Sequence, residues 1–187
     1  MNRLFVVLAL TLGLAGCAKD DVFDWTDKDA ITPVSFDSET GVDLFSWDDC
    51  REIVPGLLEQ NGITLYKHHR AGIPGVGAVV INDKAVISDV VKESGLESRI
   101  PGGIEEYSLL IGYALTGHTG GYKISQRVKR ALDGVSLGLL IEQVGLGKCT
   151  PGYAFYMALY PKLPAGQVSK IYRTDVDADP GSGDNAE

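Results

Sequence analysis

The sequence predicts an α+β fold, in which a mostly antiparallel sheet carries two to four short helices on one face. Three observations lead to this prediction. Apolar segments with strand character fall into two hairpin-like groups, and segments with helix-start signals lie between them. The proportions of hydrophobic (44%) and charged (22%) residues are ordinary for a globular domain.

The strand predictions rest on short runs of β-branched and aromatic residues between turn residues. A continuous apolar run such as 76–81 is typical of a strand buried on both faces. Segments 135–144 and 153–160 are predicted to pair with each other, and Asn82 and Asp83 to turn the chain back into a strand at 85–87. The predicted strands are 63–68, 76–81, 85–87, 135–144, 153–160 and an edge strand at 168–173.

The first helix is predicted to begin after Ser46. The Ser46 hydroxyl can cap a helix, and Asp48 and Asp49 suit the positive end of its dipole. The Pro55-Gly56 pair is expected to break or kink this helix, because proline lacks the N–H that the helix interior needs. The Asn61-Gly62 pair should end it.

Two further segments have helical signals. Ser88 is predicted to cap a short helix that ends at Glu93. Segment 104–115 fits a helix with apolar residues on one side, and a strand over 107–115 is the alternative, since Gly112 disfavours a helix by about 1 kcal/mol.

Segment 124–133 is predicted as the clearest amphipathic helix, with Ile124, Val128 and Leu132 as its apolar stripe. On a helix, Lys123, Arg127 and Arg130 would share the opposite face, because they are spaced i, i+4 and i+7. We predict that this basic stripe binds an anionic partner or lipid headgroups. The alternatives are solvating charges, or a surface that holds the protein's own acidic tail.

The chain begins with the pattern of an exported protein. One arginine precedes an apolar run over residues 4–14, and small residues then precede Cys17. This is the layout of a secretory signal peptide. The apolar run is shorter than the roughly 20 residues that a membrane-spanning helix needs.

The residues Leu14-Ala15-Gly16-Cys17 resemble the lipobox of bacterial lipoproteins. The resemblance covers only the first 17 residues. It implies cleavage before Cys17 and acylation (palmitate among the acyl chains) of that cysteine, so that several acyl chains anchor the protein stably. In such lipoproteins Asp after the cysteine goes with retention at the inner membrane, so Ala18 implies the outer membrane.

Charge divides the chain into a mildly basic middle and acidic ends. Residues 17–50 carry ten acids against Lys19 and Lys28, whereas residues 51–172 carry ten acids and thirteen Lys or Arg. We therefore predict a signal peptide (1–16), a flexible acidic tether (17–45), one α+β domain (46–173) and a disordered acidic tail (174–187). Four apolar residues within the tether are candidates to dock on the domain: Phe23, Trp25, Val34 and Phe36. Export argues against nucleic acid as a partner.

Cys50 and Cys149 remain once Cys17 is committed to lipid. In an oxidising periplasm, two cysteines in one domain are predicted to form a disulfide. It would close a loop of about 100 residues, which a chain-entropy model values at about 4–5 kcal/mol. Two buried thiols are the alternative.

The sequence predicts no catalytic residue, metal site or cofactor. The glycine-rich stretch around Lys123 lacks the Gly-Lys-Ser/Thr order of a phosphate-binding loop, and Pro180 interrupts the calcium-loop spacing in the tail. The histidines His68, His69 and His118 have no partner fixed by spacing, so a chemical role for them stays open.

These observations favour a lipid-anchored envelope protein at the outer membrane, facing the periplasm or the cell surface, with a non-catalytic binding or assembly role. Its expected partners are the membrane through lipidated Cys17, and another envelope protein or anionic lipid. The alternatives are a periplasmic hydrolase that acts on cell-wall or envelope material and a surface coat or exclusion lipoprotein.

Overall fold

A computed structural model describes residues 22–34, 45–65, 75–100, 103–117, 121–144 and 151–176. Within these residues the helices are α1 (Trp47–Gln60), α2 (Lys84–Glu93) and two 3-10 turns (Glu97–Arg99 and Ile104–Glu106). The strands are β1 (Val76–Ile81), β2 (Tyr107–Thr116), β3 (Gly121–Ala131), β4 (Gly134–Val144), β5 (Gly152–Pro161), β6 (Gly166–Gln167) and β7 (Lys170–Val176). The predicted α+β class with mostly antiparallel strands is confirmed.

The described strands form two sheets, where the sequence predicted one. The four-stranded sheet has the order β5-β2-β1-β6 and is antiparallel throughout. The three-stranded sheet has the order β3-β4-β7, in which β7 runs parallel to β4. The predicted pairing of 135–144 with 153–160 is wrong, because β4 and β5 lie in different sheets.

The described elements stack in three layers with two apolar cores. The first core lies between the helices and one face of the four-stranded sheet, where Val54, Val91 and Ile111 are fully buried. The second core lies between the two sheets, where Leu110 and Leu137 are fully buried. Strand β2 supplies both cores because alternate side chains of a strand point to opposite faces.

Helix α1 begins as predicted and continues past the expected break. The Ser46 hydroxyl accepts a hydrogen bond from the Asp49 N–H, and the Asp49 carboxylate accepts one from the Ser46 N–H. Pro55 lies inside the helix, so a break there is wrong, whereas a kink stays a prediction. Val54 and Leu58 are completely buried on either side of Pro55, and their burial offsets the lost backbone hydrogen bond.

Helix α2 begins earlier than predicted. The Asp83 carboxylate accepts hydrogen bonds from the N–H groups of Ala85 and Val86, which makes Asp83 the N-cap. Residues 85–87 are therefore helical, and their predicted strand is wrong. A carboxylate at an N-cap stabilises a helix by typically about 1 kcal/mol, which favours the helix over a return strand.

The alternative prediction for 107–115 is correct. Strand β2 spans Tyr107–Thr116, and a 3-10 turn occupies Ile104–Glu106, so the helix over 104–115 is wrong. Nine of the ten residues of β2 are buried. The strand pairs with β1 on one side and with β5 on the other, which satisfies its backbone without a helix.

The predicted amphipathic helix over 124–133 is also wrong. Residues Gly121–Ala131 form strand β3, which pairs with β4 along its whole length. Ile124 and Val128 are buried, as expected, but Leu132 is fully exposed in the two-residue turn between β3 and β4. Apolar residues at positions 124 and 128 fit the 3.6-residue period of a helix and also the two-residue period of a strand. The pairing with β4 favours the strand.

Two further strand predictions have mixed outcomes. The predicted edge strand at 168–173 is present as β7, Lys170–Val176, so residues 174–176 belong to the sheet and the predicted start of the disordered tail at 174 is wrong. Residues 63–65 lie outside the strands, and residues 66–68 lie outside the described part of the chain.

None of the described helices is long and apolar enough to cross a membrane.

Candidate functional site: the outer face of the three-stranded sheet

The outer face of the three-stranded sheet is the surface that points away from the four-stranded sheet. Alternation along β3 places Ile124, Gln126 and Val128 inside, against the second core. The side chains of Lys123, Arg127 and Lys129 therefore lie on the outer face.

The three predicted binding residues do not share one face. Lys123 and Arg127 are on the outer face, whereas Arg130 belongs to the inner set by alternation. The Arg130 guanidinium donates a hydrogen bond of 2.6 Å to the carbonyl of Lys162, beyond the end of β5. The basic stripe predicted for a helix is thus divided by the strand geometry.

An N-terminal segment covers the outer face. We call residues 22–34 the strap. Phe23 in the strap is 4% exposed, and its ring lies over Gly138 in the central strand β4. A Cβ atom at position 138 would come within 2.4 Å of Phe23 Cδ1, so glycine is the residue that lets the ring approach the backbone.

Aromatic and cationic groups surround the Phe23 ring. Trp25 and Tyr172 have ring centroids 5.2 and 5.8 Å from that of Phe23. The Lys129 ammonium lies 5.0 Å from the Phe23 centroid, within the range of a cation–π contact. Burial of the ring contributes about 1.5–3 kcal/mol, and each aromatic pair adds about 0.5–1.5 kcal/mol.

Polar contacts fix the strap beside this ring. The Arg127 guanidinium donates a hydrogen bond to the Trp25 carbonyl. The Lys129 ammonium pairs with the Asp27 carboxylate at 2.5 Å, and both side chains are 29% exposed. A hydrogen bond from Lys129 is the main cause that lowers the pKa of Asp27, and the same contact raises the pKa of Lys129.

Acidic side chains also organise the strap internally. The Asp24 carboxylate accepts hydrogen bonds from the hydroxyl and the N–H of Thr26, and these bonds lower the pKa of Asp24. The Asp27 carboxylate accepts a hydrogen bond from the Asp29 N–H. Such turns hold the strap close to the sheet without a regular strand.

The C-terminal half of the strap joins the two sheets. Ile31 exchanges two backbone hydrogen bonds with Val128 of β3, with N···O distances of 2.7 and 2.9 Å. The Val34 N–H donates to the carbonyl of Leu159 in β5 at 2.8 Å. Because β3 and β5 stand at the ends of the described strand orders, the strap satisfies backbone groups on an edge of each sheet.

The outer face and the strap carry complementary charges. The sheet contributes Lys123, Arg127, Lys129, Lys170 and the single acid Glu142 on this side. The strap contributes three aspartates against Lys28. The arrangement therefore holds an extended, acidic segment with an aromatic side chain at its centre, and here that segment belongs to the same chain.

Lys123 is an exposed residue on the outer face of β3, and its charge partner lies on the neighbouring strand β4. Its side chain is 68% exposed, and its ammonium lies 3.6 Å from the Glu142 carboxylate. An exposed pair of this kind contributes at most about 1 kcal/mol, so solvent or a partner can compete with it. A binding role for Lys123, Arg127 and Arg130 stays a prediction.

A cavity of about 490 Å³ lies between the start of β1 and residues 167–171, which include the start of β7. Tyr113, Val168 and Ile171 are among its apolar lining residues. Residues 66–74, which join lining residues 62–64 to 76–78 along the chain, lie outside the described part of the chain. The described lining is therefore incomplete, and we assign no ligand to this cavity.

A smaller polar cavity of about 250 Å³ lies where the two sheets open at one end. Arg173 points inward there, donates to the Leu115 carbonyl at 2.8 Å and pairs with Asp175 at 2.8 Å. The bond to Leu115 links β7 of the three-stranded sheet to β2 of the four-stranded sheet through the Arg173 guanidinium. The arrangement explains how a charged residue is tolerated between them.

The remaining candidate residues fall differently. Cys50 is buried on α1 against the first core. Cys17 and Cys149 lie outside the described residues, as do His68, His69 and His118, so lipidation, the disulfide and any histidine chemistry stay predictions. Among the described residues there is no cluster of His, Cys, Asp and Glu that could hold a metal ion.

Sequence reasoning missed the residues that build this site. Phe23 is predicted to dock on the domain, but the surface that receives it is not predicted. Gly138, Lys129 and Asp27 are not predicted to contribute to that surface. A signal was available in part: Gly138 interrupts an otherwise apolar strand, which often marks a close approach of another group. Which group approaches it could not be read from the strand alone.

Comparisons of the chain with protein-family models, with curated proteins and with solved structures give no match.

Proposed function

We propose that the protein is an exported lipoprotein, anchored at the outer membrane through acylated Cys17, whose folded part binds or assembles with an envelope component and does not catalyse a reaction. The observation that carries the anchor is the sequence Leu14-Ala15-Gly16-Cys17 after a short apolar run. Several acyl chains on one cysteine hold a protein on a bilayer stably, where one chain does not.

The outer face of the three-stranded sheet supports a binding role. The space over Gly138 is filled by Phe23 of the strap, so a partner would meet the strap itself and the exposed side chain of Lys123 beside it. The proposed partner is another envelope protein or anionic lipid, and exposed Lys123 is the cation best placed to contact it.

The flexible acidic tether is part of this proposal. Residues 22–34 of the predicted tether 17–45 are docked as the strap. For 17–21 and 35–44, which lie outside the described residues, a solvated tether is proposed from their content of Asp, Ser, Thr and Gly.

The anchor is tested by Cys17→Ser in the full chain, with Ala18→Ser as the matched control. Wild type and the control should incorporate radiolabelled palmitate and float with membranes, whereas Cys17→Ser should do neither. If Cys17→Ser fractionates and migrates like wild type, the anchor is wrong. Ala18→Asp tests the location, because it should shift the protein from the outer to the inner membrane fraction.

The two alternative functions predict different observations. A hydrolase with a histidine base would have His68 or His118 beside a carboxylate in a cleft, so exchange of these histidines for Ala should abolish its activity on envelope material. A coat or exclusion protein requires surface exposure, so protease added to intact cells should reach the domain. Neither alternative has a specific contact among the described residues in its favour.

A further inference from the structure

The strap shortens the connection between the lipid anchor and the folded domain. In the tether 17–45, 28 residue steps separate Cys17 from Phe45, and a flexible chain of that length has an end-to-end distance of about 30 Å and can extend much further. Docked Phe23 is only six residues after Cys17. Fully extended, six residues span about 20 Å.

The docking point lies on one defined side of the domain. Phe23 is 4% exposed over Gly138, and Ile31 and Val34 fasten the other end of the strap to β3 and β5. These contacts prevent the strap from lengthening the connection while the fold is intact. The helices lie beyond the four-stranded sheet. Because packed layers are about 10 Å apart, the helix layer is about 20 Å further from Phe23 than the three-stranded sheet is.

We propose that the outer face of the three-stranded sheet, with the strap on it, faces the lipid headgroups, and that helices α1 and α2 face away from the membrane. This inference rests on the lipid anchor proposed above. The partner of this face is the lipid surface that carries the acylated cysteine.

The geometry of the connection sets this orientation more than charge does. The outer face is close to electrically balanced, because four cations of the sheet and Lys28 oppose Glu142 and the three aspartates of the strap. The Lys129 ammonium pairs with Asp27, and Lys123 lies beside Glu142. Attraction of the remaining charge to anionic lipid is screened by salt, so an orientation set by the connection should persist in neutral vesicles and at high salt.

The test measures energy transfer in acylated protein reconstituted into phosphatidylcholine vesicles that contain a headgroup-labelled acceptor lipid. A donor is attached through a noncanonical residue at Lys123, on the outer face, or at Lys92, on the exposed side of α2. Transfer should be stronger from position 123 than from position 92, and the difference should not change between low and high salt. Equal transfer from the two positions would overturn the orientation.

Two variants test whether the strap is the cause. In Phe23→Ser the two donors should give similar transfer, whereas Val22→Ser, at the neighbouring 74%-exposed side chain, should behave like wild type. Insertion of ten Gly/Ser residues between Ala18 and Lys19 lengthens the connection without touching the described fold, and should also reduce the difference. A difference that survives the insertion would overturn the proposal.

Vesicle flotation separates this inference from the proposed function. If the acylated wild type does not float with the vesicles, the lipid anchor fails and the orientation fails with it. If it floats but the two donors give equal transfer, the anchor stands and the orientation alone is wrong.

Discussion

The ring of Phe23 lies on the backbone of Gly138, 115 residues further along the chain, so closely that a Cβ atom there would be 2.4 Å from the ring. Gly138 is buried although it is on the outer face of the sheet, because Phe23 covers it. This contact turns part of the predicted tether into a piece of the folded domain. Substitution of either Phe23 or Gly138 can therefore test the contact.

Gly138→Ala should destabilise the protein and release the strap. The added methyl group must displace the Phe23 ring, and overpacking of this kind costs about 1–3 kcal/mol. Urea unfolding measures the loss, and limited proteolysis at Lys28 measures release. Gly56→Ala is the control, because a Cβ there meets nothing within 4 Å and alanine favours the helix. A Gly138→Ala variant as stable as wild type would contradict the contact.

Phe23→Ala should cost about 3 kcal/mol or more, because it removes a buried ring. Val22→Ala should cost under about 0.5 kcal/mol, since that side chain is 74% exposed. The double variant Phe23→Ala/Gly138→Ala should cost less than the sum of the single variants, because the alanine at 138 no longer meets a ring. Strict additivity in urea unfolding would show that the two residues do not interact.

The strap should loosen in acid. The pKa of Asp27 is lowered from its ordinary value of 3.8, chiefly by the hydrogen bond from Lys129, so Asp27 stabilises docking at pH values above 3.8. This contribution is lost as the pH falls through the lowered pKa, and Asp24 acts in the same direction. Trp25 fluorescence in a Trp47→Phe background should therefore be constant from neutral pH to about 4 and change below it.

A matched pair of variants checks the group responsible. Asp27→Asn should reduce the acid transition, whereas Asp29→Asn, an equal charge change at an exposed strap residue, should leave it in place. A transition of unchanged size in Asp27→Asn would mean that the Asp27–Lys129 pair does not hold the strap.

Pro55→Ala should stabilise α1. Alanine restores a helical N–H and is about 3 kcal/mol more favourable than proline in a helix interior, while loss of the rigid ring favours the unfolded chain by up to about 1 kcal/mol. We expect a gain of about 1–2 kcal/mol in urea unfolding. Glu59→Ala, at an exposed position of the same helix, should change stability by under about 0.5 kcal/mol. Destabilisation by Pro55→Ala would show that the proline ring itself packs on the core.

The predicted Cys50–Cys149 disulfide is tested by counting thiols. Unfolded, unreduced mature protein should expose no titratable thiol, and Cys50→Ala should cost about 2–5 kcal/mol. Because Cys50 is buried, Ala there also leaves a small cavity, so Cys149→Ala is needed beside it. Two titratable thiols in the unfolded protein would exclude the bond.

The sequence alone determined the elements whose signals are local. Ser46 and Asp49 fix the start of α1 because the capping partners are three residues apart. The continuous apolar run of β1 identified a strand buried on both faces, and the ends of β4 and β5 were predicted to within one residue. Each of these signals is complete within a short stretch of chain.

Tertiary structure alone decided the features that depend on distant partners. Gln126 can be buried on β3 because its side-chain carbonyl accepts a hydrogen bond from Tyr160 Oη at 3.2 Å. Nothing in the sequence pattern of 124–133 predicts that Tyr160 is its partner. The same spacing at Ile124 and Val128 fits a helix or a strand, and eleven paired residues of β4 select the strand. Phe23 is buried only because Gly138 leaves space for its ring on the outer face of the sheet. That space exists only when the sheet has formed and the side chains beside Gly138 surround it.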